Sequence, residues 1–372
     1  MLTFARTHEM PRATASFPAF AAFFIAACAA TCAAAAAAPV AQRPRDTAPD
    51  PAHRYAQRAD VGAFIDELVR EQGFDRRELV RWLSAARYQP KIVAAMDRPL
   101  AVPPKWFEYA PSFLSAERID GGVAFYQRNA AALARAEETY GVPAEIIAAI
   151  IGVETFYGRN TGSYRVLDAL VTLAFDYPRR GAFFRGELKE FLLLARDQGI
   201  SPLDAKGSFA GAIGLPQFMP GSYRRFAVDF DGDGHADLWS NPTDVIGSVG
   251  NFLARHDWAP GQPVLLPAAI DDGARDAILQ KLDGGITERR ALAAWEEDGV
   301  TVDVLPSQLP DATVALLALE DPPADGAPRA AYWIACGNFF VITRYNRSRL
   351  YATAVWELAK AIKAARVAAT RN

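Results

Sequence analysis

The sequence predicts an α+β protein that is mainly α, and three observations support this fold class. Between residues 58 and 260, apolar side chains recur at the three- and four-residue spacing of amphipathic helices. Strand-like runs occur later, at 313–319, 331–336 and 339–343. The chain has 372 residues and is 51% hydrophobic, which is enough to bury a large core. We therefore expect a folded region at 58–372, made of a helical body at about 58–260, a smaller α/β portion at about 261–345 and a closing helix at about 347–368.

The first 38 residues are predicted to be a signal peptide. Arg6 and Arg12 precede an uncharged stretch at 13–38 that is too rich in Ala, and too interrupted by Pro, for a convincing membrane span. Translation from Met10 would leave Arg12 as the basic part of a shorter signal. Residues 39–57 are rich in Pro, Arg and Asp and predict a flexible linker. The folded protein is therefore expected to work outside the cytoplasm, in the periplasm.

Cys28 is a candidate lipid attachment site. Ile25-Ala26-Ala27-Cys28 resembles a bacterial lipobox, in which the cysteine is lipidated and becomes the mature N-terminus. Lipidation would anchor the protein to the outer membrane, whereas simple cleavage after the Ala run would release it, and both alternatives remain open. Because Cys32 also lies beside the signal, no disulfide framework is available, and Cys336 is expected to be a small core residue.

The charge balance argues against nucleic acid as a partner. The chain has 40 basic and 43 acidic residues, which gives a net charge of -3. A surface that holds phosphate backbones depends on an excess of positive charge, and this composition does not predict one.

Several helix boundaries can be predicted. Helical spacing covers 61–70, and Asp75 with Glu78 three residues later predicts the capped start of a second helix. One long helix is expected over about 116–140, followed by Gly141 and by Pro143, which suits the first turn of the next helix. Gly337-Asn338 is expected to join the last two strands as a hairpin. Further helices are expected near 166–175, 182–198, 219–227 and 243–256.

Glu154 is the first candidate catalytic residue. It lies near the C-terminal end of an apolar helix, with Ile150 and Ile151 one turn before it. An apolar pocket and the negative end of the helix dipole both disfavour the ionised form, so its pKa should rise. A carboxylic acid that stays protonated near neutral pH can protonate the leaving oxygen of a glycosidic bond. From this feature alone, exposure of Glu154 to solvent at the helix end is the simpler interpretation.

A series of further motifs follows in order along the chain. They are ETFYGRNTG at 154–162, LDAL at 167–170, YPRR at 177–180, GSFAGAIGLPQFMP at 207–220, the acidic segment at 229–239, and Tyr345-Asn346. Together they resemble the membrane-bound lytic transglycosylase B family, glycoside hydrolase family 103, over most of the chain from about residue 61 onwards. The resemblance implies a lysozyme-like helical catalytic core that acts on the glycan strands of peptidoglycan.

The resemblance also implies roles for individual residues. Glu154 would be the acid/base catalyst, with Ser208 and Gln217 lining the cleft beside the sugar that is cut. At Phe183 the family tends towards Tyr, so a hydroxyl contact from that position is in doubt. The resemblance implies that further aromatic, polar and basic residues line the cleft. They are Tyr109, Tyr345, Asn346, Tyr351, Arg179 and Arg180. Without the resemblance, the two arginines would be a solvated basic turn and Tyr351 would be core packing.

The implied reaction uses one carboxylate, whereas many glycosidases need two. The resemblance implies that Glu154 protonates the leaving oxygen of the β-1,4 bond between N-acetylmuramic acid (MurNAc) and N-acetylglucosamine (GlcNAc). As a carboxylate, Glu154 then removes the proton from the muramoyl 6-hydroxyl, which attacks its own anomeric carbon. Attack within one ring has a large proximity advantage, so the 1,6-anhydro product forms without water. No organic cofactor is expected.

The segment 229–237 predicts a calcium-binding loop. Asp229, Asp231, Asp233 and Asp237 occupy positions one, three, five and nine of an EF-hand-like loop, and Gly234 occupies position six. Hard oxygen ligands at these positions suit Ca2+, and the glycine allows the sharp turn.

The end of this loop departs from the EF-hand pattern. Position twelve is Ser240 and not Glu, and the resemblance implies that Asp244, at the start of the next helix, supplies the closing carboxylate. His235 at position seven is expected to bind through its backbone carbonyl. Because we find only one such loop, we expect a structural Ca2+ ion, and a plain acidic turn is the alternative.

Other functions remain open from the sequence. A muramidase could use the same acid with a water molecule and would give reducing ends. A non-catalytic, calcium-stabilised peptidoglycan-binding protein would keep the cleft without turnover, although intact Glu154, Ser208 and Gln217 argue against it. A calcium sensor is disfavoured, because one loop in a large helical body offers no obvious switch. The sequence does not predict whether cleavage occurs within glycan strands or from their ends. It also predicts no protein partner.

Overall fold

The computed structural model describes residues 54–97, 103–302, 313–324 and 327–369. The predicted signal peptide, Cys28, Cys32 and most of the predicted linker lie outside the described residues. Among the described helices, none combines the length and the apolar character needed to cross a membrane.

The N-terminal two thirds of the described chain is helical. The helices before residue 260 are α1 (Ala59–Gln72), α2 (Arg76–Ser84), α3 (Pro90–Met96), α4 (Trp106–Tyr109), α5 (Ala116–Arg128), α6 (Ala130–Tyr140), α7 (Ala144–Thr155), α8 (Val166–Asp176), α9 (Gly181–Asp197), α10 (Pro220–Phe226) and α11 (Pro242–Ala254). The later helices are α12 (Arg275–Leu279), α13 (Leu292–Glu297), α14 (Gly337–Tyr345) and α15 (Arg349–Ala369).

Local signals in the sequence explain several helix ends. The Asp75 side chain accepts a hydrogen bond from the backbone N–H of Glu78 at 3.0 Å, so the predicted cap of α2 is confirmed. Gly141 ends α6 in the left-handed conformation (φ 67°), as its position before the next helix predicts. The single helix expected over 116–140 is wrong, because the backbone turns away from helical geometry at Asn129 (φ -117°). Asn129 instead donates its side-chain amide to the Phe125 carbonyl at 2.8 Å and ends α5.

A five-stranded antiparallel sheet follows the helical body. Its strands are β3 (Leu265–Ile270), β4 (Arg290–Ala291), β5 (Val300–Val302), β6 (Thr313–Ala324) and β7 (Ala327–Ala335). Their spatial order is β4-β6-β7-β3-β5, with β7 at the centre and Ala315 opposite Ala335. The strands predicted at 313–319 and 331–336 are confirmed, although β6 continues to Ala324 and β7 begins at Ala327 and ends at Ala335. A separate short pair is formed by β1 (Tyr164–Arg165) and β2 (Lys206–Gly207).

The sheet separates two hydrophobic cores. Leu317 on β6 belongs to the main core with the helices, whereas the adjacent Leu316 belongs to a smaller core with Trp295 of α13. This alternation is the two-residue period of a strand buried on both faces. Cys336 is 1% exposed in the smaller core, which confirms its prediction as a core residue. Burial raises the pKa of its thiol to about 12, so this thiol is unreactive near neutral pH.

The strand and hairpin predicted at 337–343 are wrong, because this segment forms α14. Phe339 and Ile342 are both fully buried three residues apart, which is the spacing of one helix face. The buried Asn338 side chain accepts from the backbone N–H of Ala259 at 2.8 Å and donates to the Ala259 carbonyl at 2.9 Å. These hydrogen bonds fix the start of the helix against the end of the helical body.

The central helix of the fold is α7. Every described side chain from Ile146 to Val153 is buried, and α5, α6, α11 and α15 pack around the helix. A helix that is apolar on all sides gains its stability from this burial, at about 1.5 to 3 kcal/mol for each large aliphatic side chain. Glu154, in its last turn, is partly exposed, as is Glu145 in the first turn.

Candidate active site

A cleft of about 750 Å³ opens beside the C-terminal end of α7. Its walls come from α4, from the turn at 156–164, from the start of α9, from the segment 208–222 and from the end of α14. The sequence-predicted residues that line it are Glu154, Ser208, Gln217, Tyr109, Arg180, Tyr345 and Asn346. The structure therefore brings together residues that are up to 237 positions apart in the chain, from Tyr109 to Asn346.

Glu154 faces the cleft with its carboxyl group largely removed from water. Burial raises the pKa of this carboxyl to about 8, although a hydrogen bond from Tyr351 acts in the opposite direction. The Tyr351 hydroxyl donates to Glu154 Oε1 at 2.6 Å. A carboxyl group in this state is protonated at neutral pH and can donate a proton to a bound ligand.

Two further tyrosines surround Glu154. Tyr345 stacks on Tyr351 with ring centroids 6.4 Å apart, and its hydroxyl donates to the Pro216 carbonyl at 2.5 Å. Tyr109 packs on Phe113 on the opposite wall. Burial raises the pKa of all three tyrosine hydroxyls, and the negative charge of ionised Glu154 raises it further. The tyrosines are therefore neutral hydrogen-bond donors at the pH at which Glu154 titrates.

The turn after Glu154 is held in an unusual backbone conformation. Phe156 (φ 54°) and Tyr157 (φ 58°) both adopt the left-handed region, and so does Gln217 (φ 51°) in the facing segment. Such conformations are rare for residues other than Gly and cluster at functional sites. Three of the four described non-glycine residues with positive φ thus lie at this cleft or next to it.

Thr155 and Arg118 hold this turn in place, and neither role was predicted from the sequence. The buried Thr155 hydroxyl donates to the Leu215 carbonyl at 2.9 Å and accepts from the Gly158 N–H at 3.0 Å, so it ties α7 to the segment that carries Gln217. The Arg118 guanidinium donates to the Gly152 carbonyl and lies 4.4 Å above the Phe156 ring. Arg118 lies 34 residues before Gly152 in the chain and belongs to no local motif, so sequence spacing could not identify it.

Ser208 and Gln217 shape the wall opposite α7. The Ser208 hydroxyl accepts from the backbone N–H of Ala212 at 3.0 Å, which closes a tight turn. The Gln217 amide nitrogen donates to the carbonyls of Gly214 at 2.8 Å and Thr161 at 3.1 Å. Gln217 therefore joins its own segment to the turn after Glu154 and still lines the cleft.

The neighbouring arginines Arg179 and Arg180 separate in the structure. Arg180 lines the cleft with its guanidinium 4.5 Å above the ring of Phe183, which also lines the cleft and is 39% exposed. Arg179 is not among the residues that line the cleft, because its side chain points to the surface, where Nη1 lies 3.6 Å from Asp97 Oδ1. Tyr351 also differs from the expectation, since it is fully buried and contacts Glu154 without lining the cleft.

The acidic loop forms a compact cluster of carboxylates. Oxygen atoms of Asp229, Asp231 and Asp244 lie within 4.8 Å of one another, and they are brought together by the start of α11. Asp244 is fully buried, and burial raises its pKa. Asp229 accepts backbone hydrogen bonds from Gly234 at 2.8 Å and Gly232 at 2.7 Å. Hard oxygen donors clustered beside a buried carboxylate fit a Ca2+ ion.

The other predicted metal ligands lie in the same loop but outside this cluster. Asp233 accepts from the N–H of His235 at 2.9 Å, and both residues are exposed. Asn241 was missed by the sequence analysis, and its amide bridges Asp231 at 2.7 Å and Asp244 at 3.1 Å. Asn241 caps α11 directly before Pro242, and this Asn-Pro helix start is the signal that could have drawn attention to it.

Comparison with known proteins gives consistent matches over most of the chain. Residues 56–360 match the family model described as Transglycosylase SLT domain. The membrane-bound lytic murein transglycosylase B of Escherichia coli K12 is 40% identical over 329 residues, which cover 84% of this chain and 85% of that protein.

Solved structures with the same fold include two from different bacteria. The soluble lytic transglycosylase SltB1 from Pseudomonas aeruginosa is 47% identical, with a TM-score of 0.76, and the match covers 82% of this chain and 99% of that one. The lytic transglycosylase Slt35 from Escherichia coli, solved in complex with calcium, is 41% identical, with a TM-score of 0.74 and coverage of 84% and 95%.

Proposed function

Since the chain belongs to the Transglycosylase SLT domain family and is a lytic transglycosylase that acts on peptidoglycan, we propose that Glu154 is its single acid/base catalyst. The family resemblance and the α+β, mainly α fold with a lysozyme-like core are confirmed. The observation that carries the proposal is the Glu154 carboxyl at the cleft, whose pKa burial raises to about 8.

In the first step, protonated Glu154 gives its proton to the oxygen between MurNAc and GlcNAc. The bond from the MurNAc anomeric carbon to this oxygen breaks, and GlcNAc leaves with the proton. A carboxyl group with a pKa near 8 is still protonated at neutral pH, so the acid is ready without a prior proton transfer.

In the second step, ionised Glu154 takes the proton of the muramoyl 6-hydroxyl while its oxygen bonds to the anomeric carbon. This step restores the protonated acid and consumes no water. The Tyr351 hydroxyl, 2.6 Å from Glu154 Oε1, stabilises the carboxylate between the two steps. Because both reacting atoms belong to one sugar residue, that residue itself supplies the proximity that hydrolysis must obtain from a positioned water.

The composition of the cleft favours this route over hydrolysis. Among the described residues that line the cleft, the only carboxylates are Glu154 and Glu108. Glu108 accepts a hydrogen bond from the backbone N–H of Lys105 at 2.9 Å and so is engaged in capping α4. A hydrolytic muramidase would need a second carboxylate to activate water, and Glu108, which is held in this cap, is the sole candidate among the described residues that line the cleft.

The remaining cleft residues are proposed to bind the glycan and its peptide. Phe183 and Arg180 form an exposed platform on which the face of a sugar ring can pack, and the guanidinium is also a partner for a peptide carboxylate. Ser208, Gln217, Asn346, Tyr109 and Tyr345 supply hydroxyl and amide groups along the same walls. Arg179 is not proposed to contact the glycan in the cleft, because it faces the surface beside Asp97.

We also propose that the acidic loop binds a structural Ca2+ ion. Asp229, Asp231 and Asp244 would supply side-chain oxygens. The EF-hand-like spacing would add Asp233 and the backbone carbonyl of His235 as further ligands. The related Slt35 has been solved in complex with calcium, which supports this assignment. The ion would neutralise the clustered carboxylates, and it takes no part in the proposed chemistry.

Export and anchoring are proposed from the N-terminal sequence. The Escherichia coli relative is described as membrane-bound, and SltB1 is described as soluble, so relatives of both kinds exist. We propose that the protein works in the periplasm and is lipidated at Cys28. Mass spectrometry of the N-terminal peptide from a membrane fraction tests this, and a soluble mature protein that starts beyond Cys32 would refute the anchor.

Product analysis tests the catalytic proposal. Purified peptidoglycan should yield 1,6-anhydromuramoyl products, each lighter by one water than the product of hydrolysis, as measured by mass spectrometry. Glu154→Gln should lower the rate by on the order of a hundredfold or more while the fold persists. Glu138→Gln, an exposed glutamate on α6, is the matched control and should leave the rate unchanged. Reducing muramic acid ends as the main product would establish hydrolysis instead.

A further inference from the structure

Glu320 lies outside the cleft and binds two separate parts of the protein. It is on β6 in the central part of the sheet, and its side chain is 31% exposed. Its Oε1 accepts from Arg349 Nη2 at 2.9 Å, and its Oε2 accepts from the backbone N–H of Trp106 at 3.1 Å. The two oxygens therefore connect β6 with the starts of α4 and α15.

Each of these helices carries a tyrosine that is close enough to Glu154 to interact with its charge. Tyr109 is the last residue of α4, it lines the cleft, and the charge of Glu154 raises its pKa after the larger effect of burial. Tyr351 follows Arg349 by two residues on α15 and donates to Glu154 Oε1 at 2.6 Å. One carboxylate of the smaller α/β portion thus joins the two segments that enclose the proposed acid.

The two segments do not depend on Glu320 equally. Arg349 also donates to the carbonyl of Ala318 at 3.0 Å and to the carbonyl of Gly284, so α15 keeps two anchors without Glu320. In contrast, α4 has only four residues, and a helix of this length has no stability of its own. Besides the Glu108 cap on the Lys105 N–H and the packing of Tyr109 on Phe113, the charge-assisted hydrogen bond from the Trp106 N–H to Glu320 ties α4 to the sheet.

We propose that Glu320 is a positioning residue that holds the Tyr109 and Tyr351 segments against Glu154. Through it, the smaller α/β portion helps to set the environment of the acid in the helical body. The proposal deepens the proposed function and rests on the role of Glu154 as acid/base. Glu320 does not touch the cleft, and it acts only through the segments that it holds.

The direction of the expected effect follows from the groups that face Glu154. They are Tyr351 on α15, Tyr345 at the end of α14 and Tyr109 on α4. In addition, Arg118 on α5 donates to the Gly152 carbonyl of α7, the helix that carries Glu154. Burial raises the pKa of Glu154, and the smaller effect of the Tyr351 hydrogen bond lowers it. In Glu320→Gln only one side-chain oxygen remains, and the charged Arg349 competes with the Trp106 N–H for it. The Trp106 N–H then loses its acceptor, so α4 loosens, water enters beside Tyr109 and the pKa of Glu154 falls.

The test compares Glu320→Gln with wild type in the full chain. We expect the alkaline limb of the pH profile of kcat/KM to move down by about half to one pH unit, because the acid loses part of its desolvation. Activity should consequently fall more at pH 8 than at pH 6. Asp321→Asn is the matched control, since Asp321 is the next residue on β6 and is exposed, and its profile should overlay that of wild type.

A second readout does not depend on turnover. The free energy of unfolding is measured across pH for four proteins: wild type, Glu154→Gln, Glu320→Gln and the double variant. In each background, the difference between the protein with Glu154 and the protein with Gln at 154 follows the titration of Glu154. This titration should move to lower pH in the Glu320→Gln background. If Glu154 is not the catalyst, Glu154→Gln stays active, yet this readout still reports whether Glu320 controls the group.

Two outcomes would overturn the inference. A Glu320→Gln enzyme with a uniformly lower rate and an unshifted pH profile would show a general structural role. An enzyme identical to wild type in both readouts would show that α4 is held by other contacts. If Glu320→Gln does not fold, Glu320→Asp replaces it, because the shorter side chain keeps the charge opposite Arg349 but cannot reach Trp106 as well, and the same downward shift is expected.

Discussion

Replacing Glu154 with Gln should stabilise the protein at alkaline pH while it removes activity. The unfolded chain releases the Glu154 proton near the ordinary value of 4.5, whereas the folded protein holds it until about pH 8. Between these values the folded state binds one proton more than the unfolded state, so the free energy of unfolding falls as pH rises. Gln has no proton to lose, and the variant should lack this part of the decline.

The structure sets the size of this difference. A pKa rise from 4.5 to about 8 corresponds to an upper limit of about 5 kcal/mol, at about 1.4 kcal/mol for each pH unit. Because Glu154 lines an open cleft where water can approach the ionised carboxylate, we expect roughly 1 to 3 kcal/mol of this at pH 8 and little of it at pH 5. The Gln oxygen can still accept from the Tyr351 hydroxyl, so the local packing should be retained.

Urea unfolding at several pH values between 5 and 8.5, with calcium held constant, measures this difference. Other titrating groups such as Asp244 are common to both proteins and cancel when the two unfolding free energies are subtracted. A difference that grows from pH 5 to 8 with an unchanged denaturant slope supports the reasoning. A difference that is constant over this range would mean that Glu154 titrates like an exposed glutamate and would refute the assignment of a buried acid.

Three further predictions concern the neighbours of this site and the acidic loop. Tyr351→Phe removes the hydrogen bond that lowers the pKa of Glu154, so the alkaline limb of the pH profile of kcat/KM should move up, and an unmoved limb would contradict this role. Gly152→Ala should destabilise the protein by about 1 to 3 kcal/mol in urea unfolding, because the new Cβ would lie 2.5 Å from the Tyr157 ring, whereas helix propensity alone predicts stabilisation. Calcium at a hundredfold excess over its dissociation constant should add about 2.7 kcal/mol of stability and raise the Tm, more than magnesium does. Asp231→Ala should lose this response, and equal melting of both proteins with calcium and with chelator would identify a plain acidic turn.

The sequence predicted those features that depend on local spacing. The apolar run before Glu154 indicated a buried acid, and the alternating aspartates from Asp229 indicated an oxygen-ligand loop, because both patterns lie within about ten residues. The run at 339–343 was assigned wrongly, since four apolar residues followed by Thr343 fit a buried strand or a buried helix equally well. Tertiary packing with Asn338 decided between them.

Long-range contacts account for the rest of what the sequence could not predict. The contact between Glu320 and Trp106 joins residues 214 positions apart, and no pattern in either segment signals the other. The different directions of Arg179 and Arg180 depend on where α9 begins, at Gly181. A motif identifies both arginines as a pair, but only the folded backbone determines which one faces the cleft.

The left-handed backbone at Phe156, Tyr157 and Gln217 has a consequence for attempts to engineer this protein. Each of these residues stores conformational energy of about 1 kcal/mol or more that Gly would not. Gly would relieve this strain, but it would also remove the hydrogen bond from the Tyr157 hydroxyl to the Arg118 carbonyl and those from the Gln217 amide to Gly214 and Thr161. Loss of a packed aromatic ring costs about 3 kcal/mol or more, which exceeds the strain that is relieved. A variant library that aims at higher thermal resistance should therefore leave these three positions unchanged and place its substitutions elsewhere.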